Sequence, residues 1–172
     1  MKKKDINERI LQIALAAILV VALTLLLMAC LRTSVRADGR SYTAEEADML
    51  ARCVWGEYRG EDTDQVAAVA WCILNRVDDD RFSNTIREVI TAPWQFSGYS
   101  PTNPIDPRIQ RICNDVLARW SIETQCVGSV GRVLPEEYVY FHGNGVVNLY
   151  RSEYNSREYW DWQLPSPYEI NE

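Results

Sequence analysis

The feature that most constrains this chain is a long apolar run near its N-terminus. Residues 10–31 (ILQIALAAILVVALTLLLMACL) carry no charged side chain, and about 20 such residues are what a helix needs to cross a bilayer. Three lysines and Arg9 precede the run, so residues 1–9 are predicted to form a cytoplasmic tail. We therefore expect a transmembrane signal-anchor over residues 10–31, with every later residue outside the cell.

Two other interpretations of this segment stay open. A cleaved signal peptide usually has an apolar core of only about 7 to 15 residues, so the longer run here is more typical of an uncleaved anchor. Residues 27–30 (LMAC) also resemble a bacterial lipoprotein cleavage box, in which Cys30 would be the acylated residue. Both the anchor and the lipoprotein predict a protein held at the cell membrane.

The charge and histidine content disfavour two classes of function. The net charge is −6 and every lysine lies at positions 2–4, so the exported part is acidic and a poor candidate for binding nucleic acid. His142 is the only histidine, which argues against a multi-histidine zinc site. No metal and no other cofactor is predicted.

Four cysteines follow the apolar segment: Cys53, Cys72, Cys113 and Cys126. In an exported protein, four cysteines allow three different pairings, and sequence alone does not choose among them. Their spacings are not of the CxxC type. One or two disulfides and buried free thiols are both compatible with the sequence.

Beyond a predicted linker at residues 32–42, the pattern is that of one domain over residues 43–168. The motif TAEE at residues 43–46 is a capping box, in which a threonine and a glutamate satisfy the first free amides of a helix. Apolar residues follow at helical spacing, so a first helix is predicted that ends at Gly56.

Three more helices and a hairpin complete the predicted domain. Asp62 and Gln65 form a second capping box, and the long apolar stripe behind them predicts a central helix. A short helix is expected over residues 85–90, and Asp106 followed by proline predicts the start of another. After Gly128, short β-prone runs alternate with glycines, which predicts a small hairpin. The predicted fold class is mostly α (α+β).

The stretch WGEYRGE at residues 55–61 occupies the turn between the first two helices. Glu61 comes directly before a helix, where the helix dipole favours a carboxylate. Glu57 follows a glycine at a helix C-terminus, where the dipole disfavours an anion and raises its proton affinity. A carboxyl with raised proton affinity suits general-acid catalysis, although a solvated loop glutamate is the simpler alternative for Glu57.

Four segments together resemble a known family of enzymes. LARCVWGEYRGE, DQVAAVAWCILNRVDDDRFSNTIREVI, QFSGY and YFHGNGV occur in the order and spacing of the SleB-type cell wall hydrolases, which include the spore-cortex-lytic enzymes. The resemblance covers nearly all of residues 45–150. It implies a lysozyme-like helical fold and the glycan strand of peptidoglycan as the partner.

The resemblance also implies a mechanism. Glu57 would protonate the glycosidic oxygen between N-acetylmuramic acid and N-acetylglucosamine. As a carboxylate it would then take a proton from the muramyl 6-hydroxyl, which closes onto the anomeric carbon and leaves a 1,6-anhydro end. This lytic transglycosylase reaction needs one carboxylate, whereas hydrolysis needs a second one at about 5 to 9.5 Å. Glu61 and Asp64 are the nearest second carboxylates in the sequence.

A sugar polymer also needs a groove with flat apolar faces and polar groups. Loops supply both in the regions of WQFS and YVYFHGN, and binding residues tend to lie on loops. Asn75 and Arg76 are expected to brace the Glu57 turn by pairing with Glu61. The candidate substrate-binding residues are Gln95, Phe96, Tyr140, His142 and Asn144, and the candidate supporting residues are Glu61, Asn75 and Arg76.

Two other classes of protein remain as alternatives. One is a membrane-tethered protein that binds peptidoglycan without turnover. The other is a peptide-cleaving wall enzyme with a cysteine nucleophile, for which His142 would have to serve as the base. The sequence leaves open whether spore cortex or vegetative wall is the substrate.

Overall fold

The computed structural model describes residues 40–169, which form four helices followed by a small antiparallel sheet. The predicted mostly helical class with one hairpin is confirmed. The elements are α1 (Ala44–Glu57), α2 (Thr63–Asp78), α3 (Ile86–Thr91), α4 (Pro107–Ile122), a 3₁₀ turn (Glu123–Gln125), β1 (Tyr140–Gly143) and β2 (Asn148–Arg151).

The helices begin where local capping chemistry places them. Thr43 caps α1, since its hydroxyl accepts from the Glu46 amide at 3.1 Å while the Glu46 carboxylate accepts from the Thr43 amide at 2.9 Å. Asp62 caps α2 by accepting from the Gln65 amide at 3.1 Å. The second box is only half formed, because Gln65 Oε1 accepts instead from the backbone amide of Asn148 at 3.2 Å. This side chain therefore ties α2 to β2.

Helix α2 is the centre of the domain, as its apolar pattern predicts. Every residue from 65 to 76 is buried, so the helix is covered on all sides and not only along the predicted stripe. Burial of each large aliphatic side chain stabilises the fold by about 1.5–3 kcal/mol. Helix α4 covers α2 with the stripe predicted for it: Ile109, Ile112, Cys113, Val116, Leu117 and Trp120 are all buried.

The two strands pair in antiparallel register, with Tyr140 opposite Arg151 and Gly143 opposite Asn148. Tyr150 on β2 is 1% exposed and belongs to the core. Gly145 in the turn has a φ of +91°, a conformation that glycine adopts without steric cost. The tip of the hairpin is therefore exposed, while its β2 strand is anchored to the helices.

The end of the predicted linker contacts the domain. Arg40 Nε lies 3.0 Å from the Asp78 carboxylate, and Arg40 Nη1 lies 2.6 Å from that of Glu123. The same guanidinium lies over the Trp120 ring at 5.5 Å. Arg40 thus joins the C-terminal ends of α2 and α4.

The predicted membrane segment at residues 10–31, with Cys30 inside it, lies outside the described residues. Between residues 40 and 169, none of the helices has the length and apolar character that a membrane span requires. The signal-anchor and the lipoprotein both stay predictions.

All four cysteines of the described part are free thiols. Cys53, Cys72 and Cys113 are buried where α1, α2 and α4 pack together, and Cys126 is exposed. Burial raises the pKa of Cys72 to about 12, which leaves almost no thiolate at neutral pH. Of the two possibilities left open by the sequence, the described residues have free thiols, three of which are buried.

Among the four described cysteines, we expect only Cys126 to react when the native protein is treated with iodoacetamide at neutral pH. The other three thiols are inaccessible and protonated, and the thiolate is the reactive form. Peptide mass spectrometry after a timed reaction measures this, and the same reaction in denaturant shows that all four sites can be modified. Equal native rates at Cys53 and Cys126 would contradict the buried arrangement.

Trp94 has an unusual backbone conformation that predicts a stabilising substitution. Its φ is +66° and its side chain is fully exposed, at 100%. A side chain in the left-handed region costs about 1–2 kcal/mol, so Trp94→Gly should raise the free energy of unfolding by up to about 1 kcal/mol after the added chain entropy of glycine. Trp94→Ala keeps the Cβ and should give no gain. Urea denaturation of both variants tests this, and an alanine variant more stable than the glycine variant would contradict it.

Candidate active site

Glu57 is the last residue of α1, and its side chain reaches across to the loop that follows α3. The backbone amide of Gly98 donates a hydrogen bond to Glu57 Oε1 at 2.8 Å. No other hydrogen bond to this carboxyl is found among residues 40–169, so Oε2 is left available. The carboxyl is partly buried, between the helix end and the loop.

Two glycines let the helix and the loop touch. A Cβ on Gly56 would lie 2.0 Å from the carbonyl oxygen of Gly98, and a Cβ on Gly98 would lie 2.4 Å from that of Gly56. Neither position has room for a side chain. Gly56 is thus required by close backbone approach, and the helix continues through it to Glu57, one residue past the predicted end.

Asn103 fixes the loop in this position. Its Nδ2 donates to the carbonyl oxygens of Gly98 at 2.8 Å and of Arg52 at 3.1 Å. Arg52 in turn donates to the backbone carbonyl of Asn103. The loop that holds Glu57 is therefore hydrogen-bonded to α1 from both directions.

A cavity of about 390 Å³ opens beside Glu57. One wall is the end of α1 and the turn after it, and the other is the tip of the hairpin. Glu57 is the only carboxylate among the described residues that line the cavity. The lining residues are Gly56, Glu57, Tyr58, Arg59, Gly60, Gly143, Gly145, Val146, Val147 and Asn148.

The surroundings of Glu57 favour its protonated form. Burial raises the pKa of this carboxyl above its ordinary value, while the Gly98 amide and the positive charge of Arg76 partly oppose that shift. The direction agrees with the expectation from the sequence. The physical cause is chiefly the removal of water from the carboxyl, whereas the sequence argument relied on the helix dipole.

The expected pairing of Asn75 and Arg76 with Glu61 is wrong. Both side chains are buried and point to the segment before the hairpin. Asn75 Nδ2 donates to the carbonyls of Pro135 and Tyr138 at 2.8 and 3.0 Å. Arg76 Nε donates to a carbonyl of the same segment at 2.6 Å. Their role is to hold the hairpin on α2.

The turn after Glu57 is instead braced from α4. Arg108 donates to the carbonyls of Gly60 at 2.6 Å and Glu61 at 3.3 Å. The Glu61 residue is exposed and does not line the Glu57 cavity. Asp64 lines a different cavity and accepts a hydrogen bond from the Ser166 hydroxyl at 2.6 Å.

Gln95 and Phe96 lie on the loop between α3 and α4. Gln95 is exposed, and its Oε1 accepts from Arg76 Nη1 at 2.7 Å. Phe96 is 6% exposed, with its ring centroid 6.1 Å from that of Phe141. Gln95 is therefore placed where a ligand can reach it, whereas Phe96 supports the loop from the core.

Tyr140 and His142 lie on β1. Tyr140 is partly buried, with its ring centroid 5.9 Å from that of Phe82. His142 is exposed and packs edge-on against Tyr159 at 5.6 Å. Within residues 40–169 no hydrogen bond joins His142 to a cysteine, and three of the four thiols are buried. These positions disfavour the cysteine-histidine alternative.

Asn144 lies in the turn of the hairpin. Its Oδ1 accepts the backbone amides of Val146 and Val147, each at 2.9 Å. The side chain thus shapes the turn whose valines line the Glu57 cavity, and the substrate role of this exposed residue stays a prediction.

Several residues of the site were not singled out by sequence. Gly98 lies in the segment QFSGY, but only the structure shows that its amide binds Glu57. Asn103 lies in a proline-rich loop and Asn148 at the start of a short strand, where neither has a motif of its own. The sequence signal for Gly98 was its place in the family resemblance, and no local signal marks Asn103 or Asn148.

Comparison with known proteins assigns the sequence to a family. The sequence pattern of the family described as Cell Wall Hydrolase matches residues 60–159, more than half of the chain. The chain belongs to this family. The predicted membership is confirmed, although the match begins after Glu57, so the role of that residue depends on the structure.

Individual relatives agree with the family. The cell wall hydrolase domain is 41% identical over 56 residues to a spore cortex-lytic enzyme of Bacillus cereus and 36% identical over 58 residues to one of Oceanobacillus iheyensis. These alignments cover 33% and 34% of this chain, and 22% and 21% of the relatives, so the chain matches about a fifth of their length.

A solved structure has a similar fold. It is the catalytic domain of the germination-specific lytic transglycosylase SleB from Bacillus anthracis, with a TM-score of 0.50 and 26% identity. The similarity covers 63% of this chain and 81% of that domain.

The contact between the two glycines predicts that Gly98→Ala destabilises the domain. The new Cβ would lie 2.4 Å from the Gly56 carbonyl and 3.1 Å from Glu57 Oε1, so the loop must move. We expect a loss of about 1–3 kcal/mol in the free energy of unfolding, measured by urea denaturation. Gly143→Ala is the matched control, since its Cβ would meet only Asn148 Oδ1, at 3.3 Å. Equal stability of the two variants would contradict the close approach.

Proposed function

We propose that this cell wall hydrolase cleaves the glycan strand of peptidoglycan between N-acetylmuramic acid and N-acetylglucosamine, as a lytic transglycosylase. The observation that carries the proposal is the single partly buried carboxyl of Glu57 in a cavity with no second carboxylate among its described lining residues. The similarity to the catalytic domain of a lytic transglycosylase supports it.

Glu57 acts first as the general acid. Its Oε1 is held by the Gly98 amide, so Oε2 is the oxygen that gives its proton to the glycosidic oxygen. The bond from that oxygen to the anomeric carbon breaks, and positive charge develops on the muramyl ring. Because burial raises the pKa of Glu57, a larger fraction of the carboxyl carries a proton at a given pH than in a solvated glutamate.

Glu57 then acts as the base. The carboxylate removes the proton of the muramyl 6-hydroxyl, whose oxygen bonds to the anomeric carbon and closes the 1,6-anhydro ring. The proton given up in the first step is regained in the second, so the enzyme returns to its starting state. The Gly98 amide stabilises the carboxylate between the two steps.

A hydrolytic outcome is less well supported. It requires a second carboxylate about 5 to 9.5 Å from the first, as a nucleophile or to activate water. Glu61 is exposed outside the cavity, and Asp64 is hydrogen-bonded in another one.

We expect Glu57→Gln to abolish release of muropeptides from purified peptidoglycan, because the amide has no proton to donate. Liquid chromatography with mass spectrometry detects the products, and 1,6-anhydro ends in the wild-type digest would distinguish transglycosylation from hydrolysis. Glu136→Gln, at an exposed loop position, is the control. Normal cleavage by the Glu57→Gln protein would contradict the assignment of Glu57 as the general acid. A folded wild-type protein that binds glycan strands but releases no muropeptides would favour the non-catalytic alternative.

The raised pKa also sets a pH dependence. Cleavage should decline as the pH rises through the pKa of Glu57, since the acid form is then lost.

The same raised pKa affects stability: above that pKa the folded state holds a charge that burial disfavours. Glu57→Gln should therefore be no less stable than wild type at pH 7, and any gain should vanish below the ordinary pKa of 4.5. Thermal unfolding of the wild type and the Glu57→Gln protein, at pH 7 and below pH 4.5, measures both differences in stability.

A further inference from the structure

Arg76 is a buried cation without an anionic partner. Its exposure is 5%, and no carboxylate of residues 40–169 forms an ion pair with it. A buried charge is costly when nothing of opposite sign compensates it, and buried charges in proteins are normally paired. Within residues 40–169 the Arg76 guanidinium is therefore free to pair with a bound anion.

The contacts that Arg76 does make are all with neutral groups. Its Nε donates to the Val139 carbonyl at 2.6 Å and its Nη1 to Gln95 Oε1 at 2.7 Å. The rings of Phe82 and Phe96 lie 5.1 and 4.8 Å from the guanidinium carbon. These contacts fix the orientation of the guanidinium, and none of them is an ion pair.

Arg76 lines a cavity of about 320 Å³, and none of the residues that line it belongs to the cavity beside Glu57. Arg81 also lines this cavity; it is exposed and pairs with the carboxylates of Asp79 at 2.7 Å and Glu153 at 3.8 Å. Ser83 adds an exposed hydroxyl. The lining thus combines two cations, hydrogen-bond donors and apolar walls: Arg76, Arg81, Phe82, Ser83, Val89, Ala92 and Gln95.

We propose that this cavity binds a carboxylate carried by the muramyl residue of the substrate. Arginine is the side chain best suited to carboxylate recognition, because its planar group donates two parallel hydrogen bonds. Peptidoglycan offers a carboxylate from two sources: the acidic groups of its stem peptide, and the lactyl group of a muramyl residue that has lost its peptide. The inference rests on the proposed function, since it takes the glycan strand as the ligand.

The position relative to Glu57 fits this role. The charge of Arg76 partly opposes the rise in the pKa of the Glu57 carboxyl. Gln95 belongs to the loop whose Gly98 amide holds Glu57. A strand cleaved at Glu57 can thus present the substituent of a muramyl residue to Arg76 and Arg81.

The test measures binding of the Glu57→Gln protein, which does not consume the ligand. Three soluble strands are compared: peptide-bearing glycan, glycan stripped of peptides by an amidase, and chitin oligosaccharides, which have no carboxylate. We expect affinity for at least one carboxylate-bearing strand to exceed that for chitin oligosaccharides by about tenfold or more, the value of one charge-assisted hydrogen bond. Isothermal titration calorimetry gives each dissociation constant.

Two added substitutions identify the cavity as the cause. Arg81→Gln removes the exposed cation, and Ser83→Asp places a negative charge in the lining. Both should reduce the preference for carboxylate-bearing strands to about twofold or less and leave chitin binding unchanged. Arg87→Gln is the matched control, because Arg87 is also exposed and paired with an acid, Glu45 at 2.6 Å, but lies outside the cavity.

The outcomes are distinct. Preference for stripped strands alone assigns the lactyl carboxylate, preference for peptide-bearing strands alone assigns the stem peptide, and preference for both supports either carboxylate as ligand. Equal affinity for all three strands, or an equal loss in Arg81→Gln and Arg87→Gln, would overturn the inference. A wild-type protein that prefers carboxylate-bearing strands but releases no muropeptides would leave this site standing and refute the proposed function.

Discussion

The candidate active site depends on the direct backbone contact between the end of α1 and the loop after α3. Because Gly56 and Gly98 have no side chains, the two segments approach closely enough for the Gly98 amide to reach the Glu57 carboxyl. That approach partly buries the carboxyl, and burial raises its pKa. The raised pKa of Glu57 therefore comes from close packing at two positions that have no side chain.

The hairpin wall of the cavity depends on polar groups inside the core. Helix α2 is covered on all sides, so Asn75 and Arg76 have almost no contact with bulk water and take their hydrogen-bond partners from the fold. They bind backbone carbonyls of the segment before β1, and Gln65 binds the amide of Asn148 on β2. Hydrogen bonds from one helix thus determine where the hairpin lies, and with it the shape of the Glu57 cavity.

Features set by local chemistry could be predicted from the sequence, whereas those set by long-range packing could not. The cap at Thr43 and the apolar stripe of α4 depend on neighbours within a few residues, and both are confirmed. The expected pairing of Arg76 with Glu61 failed because charge complementarity does not reveal which groups the fold brings together. The contact between Glu57 and Gly98 joins residues far apart in the chain, and no spacing rule predicts it.

The ion pairs of Arg40 have a mechanical consequence. The chain enters the domain at this residue, which is joined to the ends of α2 and α4 through Asp78, Trp120 and Glu123. None of these residues lines the cavity beside Glu57. A pulling force on the preceding segment is therefore borne first by two well-packed core helices. The loop and hairpin that form the cavity can keep their geometry while the domain is under tension.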